Sequence, residues 1–245
     1  MARRRKGFKE DQKVRHNVFD DFTNRTIYKL ITQGHIEGLE SPLFIGKESN
    51  VFTAEHKDKT RIIVKIYRLE TCDFNRMFDY IKSDPRYHSV KKKRRNIVFA
   101  WVQREYRNLM IAREHGVIVP LPIAFMNNVL VLECIESQGH VAPKLKDSIP
   151  KNPKEFFEKV LLGMKKLHKA GLVHGDLSQF NILNRDENPV FIDFSQATEY
   201  ESERGEEYLI RDIHNICKFF QGLGVDADEG KVKKEILSVA AKRPS

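Results

Sequence analysis

The sequence predicts an α+β chain folded as two lobes, the first rich in strands and the second mainly helical, with a cleft between them. Three observations predict this. Residues 43–67 alternate in the two-residue rhythm of strands, in "LFIGKESNVFTAEH" and "TRIIVKIYRL", parted by a polar "KDK" turn. From Asn152 onward the apolar spacing is mostly helical. Between these halves, residues 136–150 form a Pro-containing connector with little pattern of its own, which sets a hinge near 135–143. The expected divisions are a basic tail and helical extension at 1–38, a first lobe at 39–135, and a hinge with the second lobe at 136–245. A chain of 245 residues, 40% hydrophobic, can bury a full core as one large domain or as two lobes.

Taken in order, residues 17–33 read as a helix with Ile27, Leu30 and Ile31 on one side and Gly34 as its stop. In the second strand, Ile62, Val64 and Ile66 share one face while Ile63, Lys65 and Tyr67 share the other. A short helix is predicted at 73–82, capped by Asp73 and striped by Phe74, Met77, Phe78 and Ile81. "SDPRYHSVKKKRRN" reads as a polar, basic, mobile loop. A long helix over about 96–115 follows, ended by Gly116. A short strand, an "NN" hairpin at 127–128 and the strand "VLVLECI" come next. Asn152, Pro153 and Glu155 supply a cap, a first-turn proline and a capping-box acid for a helix that runs to Gly171. After it lie an apolar strand "PVFIDF" and helices at about 203–222 and 228–241.

No run approaches the roughly 18 apolar residues of a membrane span. "MARRRKGFKE" is basic but no apolar stretch follows, so a secretory signal is not expected. Cys72, Cys134 and Cys217 are scattered, odd in number and set among apolar residues, which suits reduced, buried thiols in a cytoplasmic protein. The net charge of +9 is concentrated. The first fifteen residues hold seven Lys or Arg against two acids, "KKKRR" covers 91–95, and Lys231, Lys233 and Lys234 sit near the end. Such a surface favours polyanions, RNA first among them, although solvated faces carry the same composition.

Five polar side chains sit where apolar sequence surrounds them. The 96–115 stripe runs Val98, Trp101, Val102, Tyr106, Leu109, and at 100° per residue Glu105 projects into its middle. A lone carboxylate there needs a cationic partner. Lys65, within "IIVKIY", is the matching anomaly. A buried Lys–Glu pair between a strand and the next helix is how bilobal protein-kinase-like folds aim a lysine at nucleotide phosphates. The stretch "VHGDLSQFNIL" then places Asp176 and Asn181 between apolar flanks, and Asp193 interrupts "PVFIDFSQ". The spacing D-x4-N-x11-D suits a magnesium ion that takes few ligands from protein, Asn181 and Asp193, with Asp176 accepting or orienting a hydroxyl proton. His174 reads as structural, and Gly175 as relief for a tight backbone. The phosphate-covering loop falls at "IGKESNV", where Gly46, Lys47, Glu48, Ser49, Asn50 and Val51 are the expected contacts, chiefly through Lys47, Ser49 and backbone amides. With one glycine it fails the G-x-G-x-x-G pattern.

With these residues in place the chain resembles the RIO family of atypical serine/threonine protein kinases over nearly its whole length. The resemblance rests on "GKESNVF", "VKIYRLE", "WVQREYRNL", "VLVLECI", "LVHGDLSQFNIL" and "VFIDFSQA", and is strongest to the first, archaeal-type subfamily. It implies that Lys65 contacts ATP phosphates and pairs with Glu105. It also implies that Asp176 is catalytic, that Asn181 and Asp193 hold magnesium (or manganese), and that backbone groups of Glu133 and Ile135 meet adenine. The implied activity is serine phosphorylation, and the implied role is late maturation of the small ribosomal subunit. In some members the aspartate matching Asp193 is phosphorylated during ATP turnover, which implies an ATPase switch.

Departures from ordinary protein kinases are plain. Gly175 stands where they carry Arg, "DFSQ" replaces Asp-Phe-Gly, and no A-P-E occurs in the 52 residues after Asp193. The expected second lobe is therefore truncated, without activation loop or peptide-docking helices. "FIGKESNV" and "HGDL" drift in spelling towards the second RIO subfamily. Two other readings use the same residues. One is a nucleotide-sensing module that binds RNA or a pre-ribosomal particle. The other is a small-molecule phosphotransferase like those acting on aminoglycosides, which share H-G-D-x4-N but add a substrate subdomain, frequently acidic, that this basic chain lacks.

Overall fold

Alternation along the first half produces a five-stranded antiparallel sheet. The structure, a computed structural model, describes residues 19–240 except 88. The basic run at 1–15, the start of the first predicted helix and the last residue of the final one lie outside the described residues. Helix α1 (Asp21–Thr32) opens on Asp20, whose carboxylate accepts from the amides of Phe22 and Thr23. Strands β1 (Gly38–Ile45), β2 (Ser49–Glu55), β3 (Arg61–Tyr67), β4 (Pro122–Met126) and β5 (Val129–Glu133) form the sheet in the order β1-β2-β3-β5-β4. Strand β1 begins earlier than expected, because Gly38 and Leu39 pair with Glu55 and Ala54.

The two faces of β3 divide as its alternation requires. Ile62, Val64 and Ile66 pack with Ile27 and Leu30 of α1 in one apolar cluster. Ile63 and Tyr67 face the main core, which holds helices α2 (Phe74–Lys82) and α3 (Arg94–Glu114) and continues into the second lobe. Asp73 caps α2 by accepting from the Arg76 amide. Asn127 adopts φ +53° at the β4–β5 hairpin, a conformation asparagine tolerates well.

The second lobe rests on α4 (Pro153–Lys169), α5 (Gly205–Gln221) and α6 (Glu229–Leu237). Asn152 accepts from the Glu155 amide and Pro153 begins α4, as the cap residues dictate. Short pairs complete it: β6 (Glu136–Ser137) with β7 (His140–Val141), β9 (Ile182–Arg185) with β10 (Asn188–Phe191), and β8 (Leu172–Val173) with β11 (Thr198–Glu199).

Two expectations are corrected. The connector 136–150 is patterned after all: it folds as the β6–β7 hairpin, and Leu145 and Lys146 then donate to the carbonyls of Ile182 and Gln179. The loop before α3 is not a free basic arm. Pro85–Tyr87 forms a 3₁₀ turn, and Asp84 and Tyr87 are buried. Asp84 is drawn in by two guanidiniums, Arg86 at 2.7 Å and Arg104 at 3.0 Å. The three cysteines are free thiols, each buried.

Candidate active site

Strand β3 delivers Lys65 to the cleft side of the sheet between Val51 and Leu130, its cross-strand partners. Its Nζ donates to Glu105 Oε1 at 2.9 Å and to Asp193 Oδ1 at 3.0 Å. One amine thus ties α3 of the first lobe to the segment after β10 of the second. Glu105 is 1% exposed, and its other oxygen accepts from the Tyr67 hydroxyl at 2.5 Å. Burial opposes the lysine charge, but the Asp193 and Glu105 carboxylates outweigh it and hold the amine protonated well above its usual range. For Asp193, burial would raise the carboxyl, yet Lys65 and a 2.7 Å hydrogen bond from Ser195 Oγ bring it down to about 2.

Asp193 sits at φ +65°, so the chain turns sharply there. In the same lobe, the turn after β8 presents Asp176. Its Oδ2 accepts from Asn181 Nδ2 at 3.1 Å and, at a longer 3.4 Å, from Gln196 Nε2. The Asn181 amide also donates to the Asp176 carbonyl at 2.8 Å, which closes the D-x4-N loop on itself. Burial and the neighbouring Asp193 raise the Asp176 carboxyl above its ordinary value. Gly175 adopts φ +77°, and a Cβ there would lie 2.9 Å from the Gln196 carbonyl, so both backbone shape and space demand glycine. His174 is buried, with Nε2 donating to the Ile192 carbonyl at 3.0 Å, and burial pushes its imidazole down to about 4.

The loop joining β1 to β2 closes on a hydrogen bond from the Gly46 amide to the Ser49 carbonyl, 3.0 Å. The Phe44 ring lies against Gly46, so close that a Cβ there would overlap it. Thr71 and Arg68 hold the loop by donating to the carbonyls of Lys47 and Gly46. Burial raises the Glu48 carboxyl, with Arg76 opposing and Asp193 adding to the effect. Pleating separates the strand residues: Ser49 and Val51 oppose Tyr67 and Lys65 on the cleft side, while Asn50 opposes Ile66. The Asn50 side chain therefore belongs to the α1 face, and only its backbone is available to the cleft. At the lobe junction, the Glu133 amide donates to the Leu121 carbonyl and the Ala142 amide to the Ile135 carbonyl.

Sequence reasoning missed Asp212 of α5. Its carboxylate is 1% exposed and accepts from the amides of Gly175, 2.8 Å, and Leu177, 2.7 Å, the two residues flanking Asp176. Burial pushes its carboxyl up to about 7, against the pull of those two hydrogen bonds. The neighbouring Arg211 donates to the Gly175 carbonyl. The signal was present: Asp212 lies in the stripe Leu209, Ile213, Ile216, the same kind of intrusion that exposed Glu105.

Comparisons with known proteins give the family of the chain and its fold. A RIO domain model matches residues 50–233. A "RIO-type serine/threonine-protein kinase Rio1" of Haloferax volcanii is 43% identical over 88% of this chain and 74% of its own. The protein of that description from Methanocaldococcus jannaschii is also 43% identical, over 94% of this chain and 79% of its own. Among solved structures, the Rio2 kinase of Chaetomium thermophilum, in an ADP/Mg2+-phosphoaspartate complex, superposes with a TM-score of 0.68 at 22% identity. That superposition covers 89% of this chain and 67% of the other, and it shows the fold to be the bilobal one. With a RIO domain model over residues 50–233 and archaeal relatives 43% identical over most of its length, this chain belongs to the RIO family of serine/threonine-protein kinases, in its archaeal Rio1 type.

Proposed function

We propose that the chain transfers the γ-phosphoryl group of ATP, with magnesium, to a serine or threonine hydroxyl, and to water when no acceptor is present. The observation that carries this reading is the position of Lys65 Nζ, within 3.0 Å of both Glu105 and Asp193 at the mouth between the lobes. A protonated amine fixed by Glu105 is a preset counter-charge for phosphate oxygens, and fixing it beforehand removes reorganisation from the reaction. Asp176 lies across the cleft with Oδ2 engaged by Asn181 and Gln196, which directs its other oxygen towards an incoming hydroxyl. The bond from γ-phosphorus to the bridging oxygen breaks, the bond to the acceptor oxygen forms, and the hydroxyl proton passes to Asp176.

The donor set fits a hard dication. Asp193 is held ionised, Asp176 adds a second carboxylate, and Asn181 spends its amide nitrogen on Asp176, which leaves its amide oxygen as the remaining donor. Asn181 and Asp193 would hold that ion, and bound there it neutralises charge on the transferring phosphoryl group. The β1–β2 loop at 46–51 would cover the phosphates through its backbone, and the junction at Glu133–Ile135 would receive adenine.

A role in small ribosomal subunit maturation in the cytoplasm forms the wider part of the proposal. It is supported by exposed cations at 91–95, three of them laid on rings: Lys92 on Phe78, Arg94 on Phe74 and Arg95 on Phe22. Stacking presets these charges towards a polyanion such as RNA. Purified protein with γ-labelled Mg-ATP tests the chemistry. Asp176→Asn should lower autophosphorylation and phosphate release by roughly 10²–10⁴-fold, the usual worth of a positioned base. Wild-type turnover in Asp176→Asn refutes the reading.

A further inference from the structure

Helix α3 buries two more polar side chains beside Glu105, and phosphate chemistry does not account for either. Arg104 and Asn108 are each 0% exposed. Both face the segment that follows Asp193. Arg104 Nη1 donates to the Ser195 carbonyl at 3.2 Å. Asn108 Nδ2 donates to the carbonyls of Phe194, 3.3 Å, and Ala197, 2.7 Å. The Asn108 amide cannot turn round without loss, because its Oδ1 accepts from Arg86 Nη2 at 3.1 Å. Asp84 completes the set by accepting from Arg104 Nε at 3.0 Å and from Arg86. On the far side, the Tyr80 hydroxyl donates to Gln196 Oε1 at 2.9 Å.

A polar network that merely filled the core would have no need to converge on one short stretch of backbone. Here three carbonyls within four consecutive residues are bound by a single helix, directly after an aspartate in the left-handed region. An L-residue at φ +65° stays there when its neighbours over-determine it. The same helix sets Lys65 through Glu105, one residue from Arg104. One rigid element therefore fixes both members of the 3.0 Å Lys65–Asp193 contact.

We propose that Arg104 and Asn108 are positioning residues that grip the Phe194–Ala197 backbone and so hold the Asp193 carboxylate against Lys65. The catalytic consequence rests on the proposed phosphoryl transfer, while the positioning itself is measurable without nucleotide. Asn108→Asp keeps the shape and sets an acceptor against two carbonyls. In the nucleotide-free full chain, amide exchange across 193–197 should rise by roughly tenfold or more, with β3 and α4 unchanged. The kcat for Mg-ATP turnover should fall by roughly tenfold or more, with KM for ATP changed less than about twofold, since geometry and not nucleotide binding is lost. Arg86→Met, a milder change at the half-buried rim, should give smaller effects in the same direction and guards against an Asn108 variant that does not fold.

Wild-type exchange at 193–197 in Asn108→Asp overturns the proposal. So does exchange that rises evenly over the whole chain in both variants, because the network would then be structural only. Equal turnover by wild type and Asp176→Asn, in contrast, sinks the phosphoryl-transfer reading and leaves the exchange result to judge the grip by itself.

Discussion

Replacing Glu105 by leucine isolates what the buried charge pair contributes. Lys65 keeps Asp193 at 3.0 Å but loses Glu105 at 2.9 Å, and the Tyr67 hydroxyl loses its acceptor. Removing one partner of a buried pair costs about 3–5 kcal/mol, and the remaining Asp193 contact places this case near 3 kcal/mol. Removing both charges, as Lys65→Met with Glu105→Leu, takes away the stranded amine as well. The double variant should recover about 1 kcal/mol, the remaining deficit of about 2 kcal/mol belonging to the orphaned Tyr67 hydroxyl and to Asp193, which keeps Ser195 Oγ but loses the amine. Urea unfolding read by fluorescence suits the measurement, because the one tryptophan of the chain, Trp101, lies in α3 beside the pair. The m-value should stay constant. Both variants should lose Mg-ATP turnover, so stability and activity part company in the double variant. A double variant no more stable than Glu105→Leu would refute the reasoning, since the amine would then have been no burden on its own.

Asp212→Ala strands the Gly175 and Leu177 amides, at about 1–3 kcal/mol each, and should cut turnover even in protein that is folded by circular dichroism; full activity in the folded variant contradicts its placement of Asp176. Gly175→Ala forces an alanine to φ +77° with its Cβ 2.9 Å from the Gln196 carbonyl, so a loss of about 2 kcal/mol or more is expected by chemical denaturation, and a change below about 0.5 kcal/mol contradicts the geometry. His174 titrates near 4 in the folded protein against 6.5 for the free side chain, so the unfolded chain binds the extra proton first. Its contribution, about 3 kcal/mol, is therefore complete above pH 6.5 and lost as pH falls from 6.5 through 4. His174→Gln should flatten that part of the stability profile, and an unchanged slope counts against a neutral buried imidazole.

The site was legible wherever a polar residue broke an apolar pattern. Lys65 in "IIVKIY", Glu105 in its stripe and Asp193 after "PVFI" announced themselves in this way, and the structure places both carboxylates within 3.0 Å of the Lys65 amine. Arg104 gave no such signal, because it lies on the flank that a half-buried helix would turn to water, and Asn108, seven residues after Trp101, sits at the edge of the stripe, where a polar residue is ordinary. Helix α3 is instead covered on nearly all sides, by the sheet, by α2 and by the second lobe, which no periodicity confined to one helix reveals. The loop before α3 was misread for a related reason. Its composition is basic throughout, while Asp84 is the residue that anchors it, and its partners lie at Arg86 and at Arg104 in the next helix. The 136–150 connector was misread because its β6–β7 hairpin is two residues a side, too short to show alternation, and Leu145 and Lys146 pair with Ile182 and Gln179, far along the chain.

Cys134 lies between Glu133 and Ile135 at the junction of the lobes, 8% exposed, with burial pushing its thiol up to about 11. At neutral pH a sulfur of that kind is scarcely nucleophilic while covered. Any swing of one half against the other that wets this point should speed its alkylation, so labelling kinetics at one native atom would follow the breathing of the cleft without an introduced dye. Nucleotides that clamp the halves together would slow that reaction, and ligands that part them would quicken it.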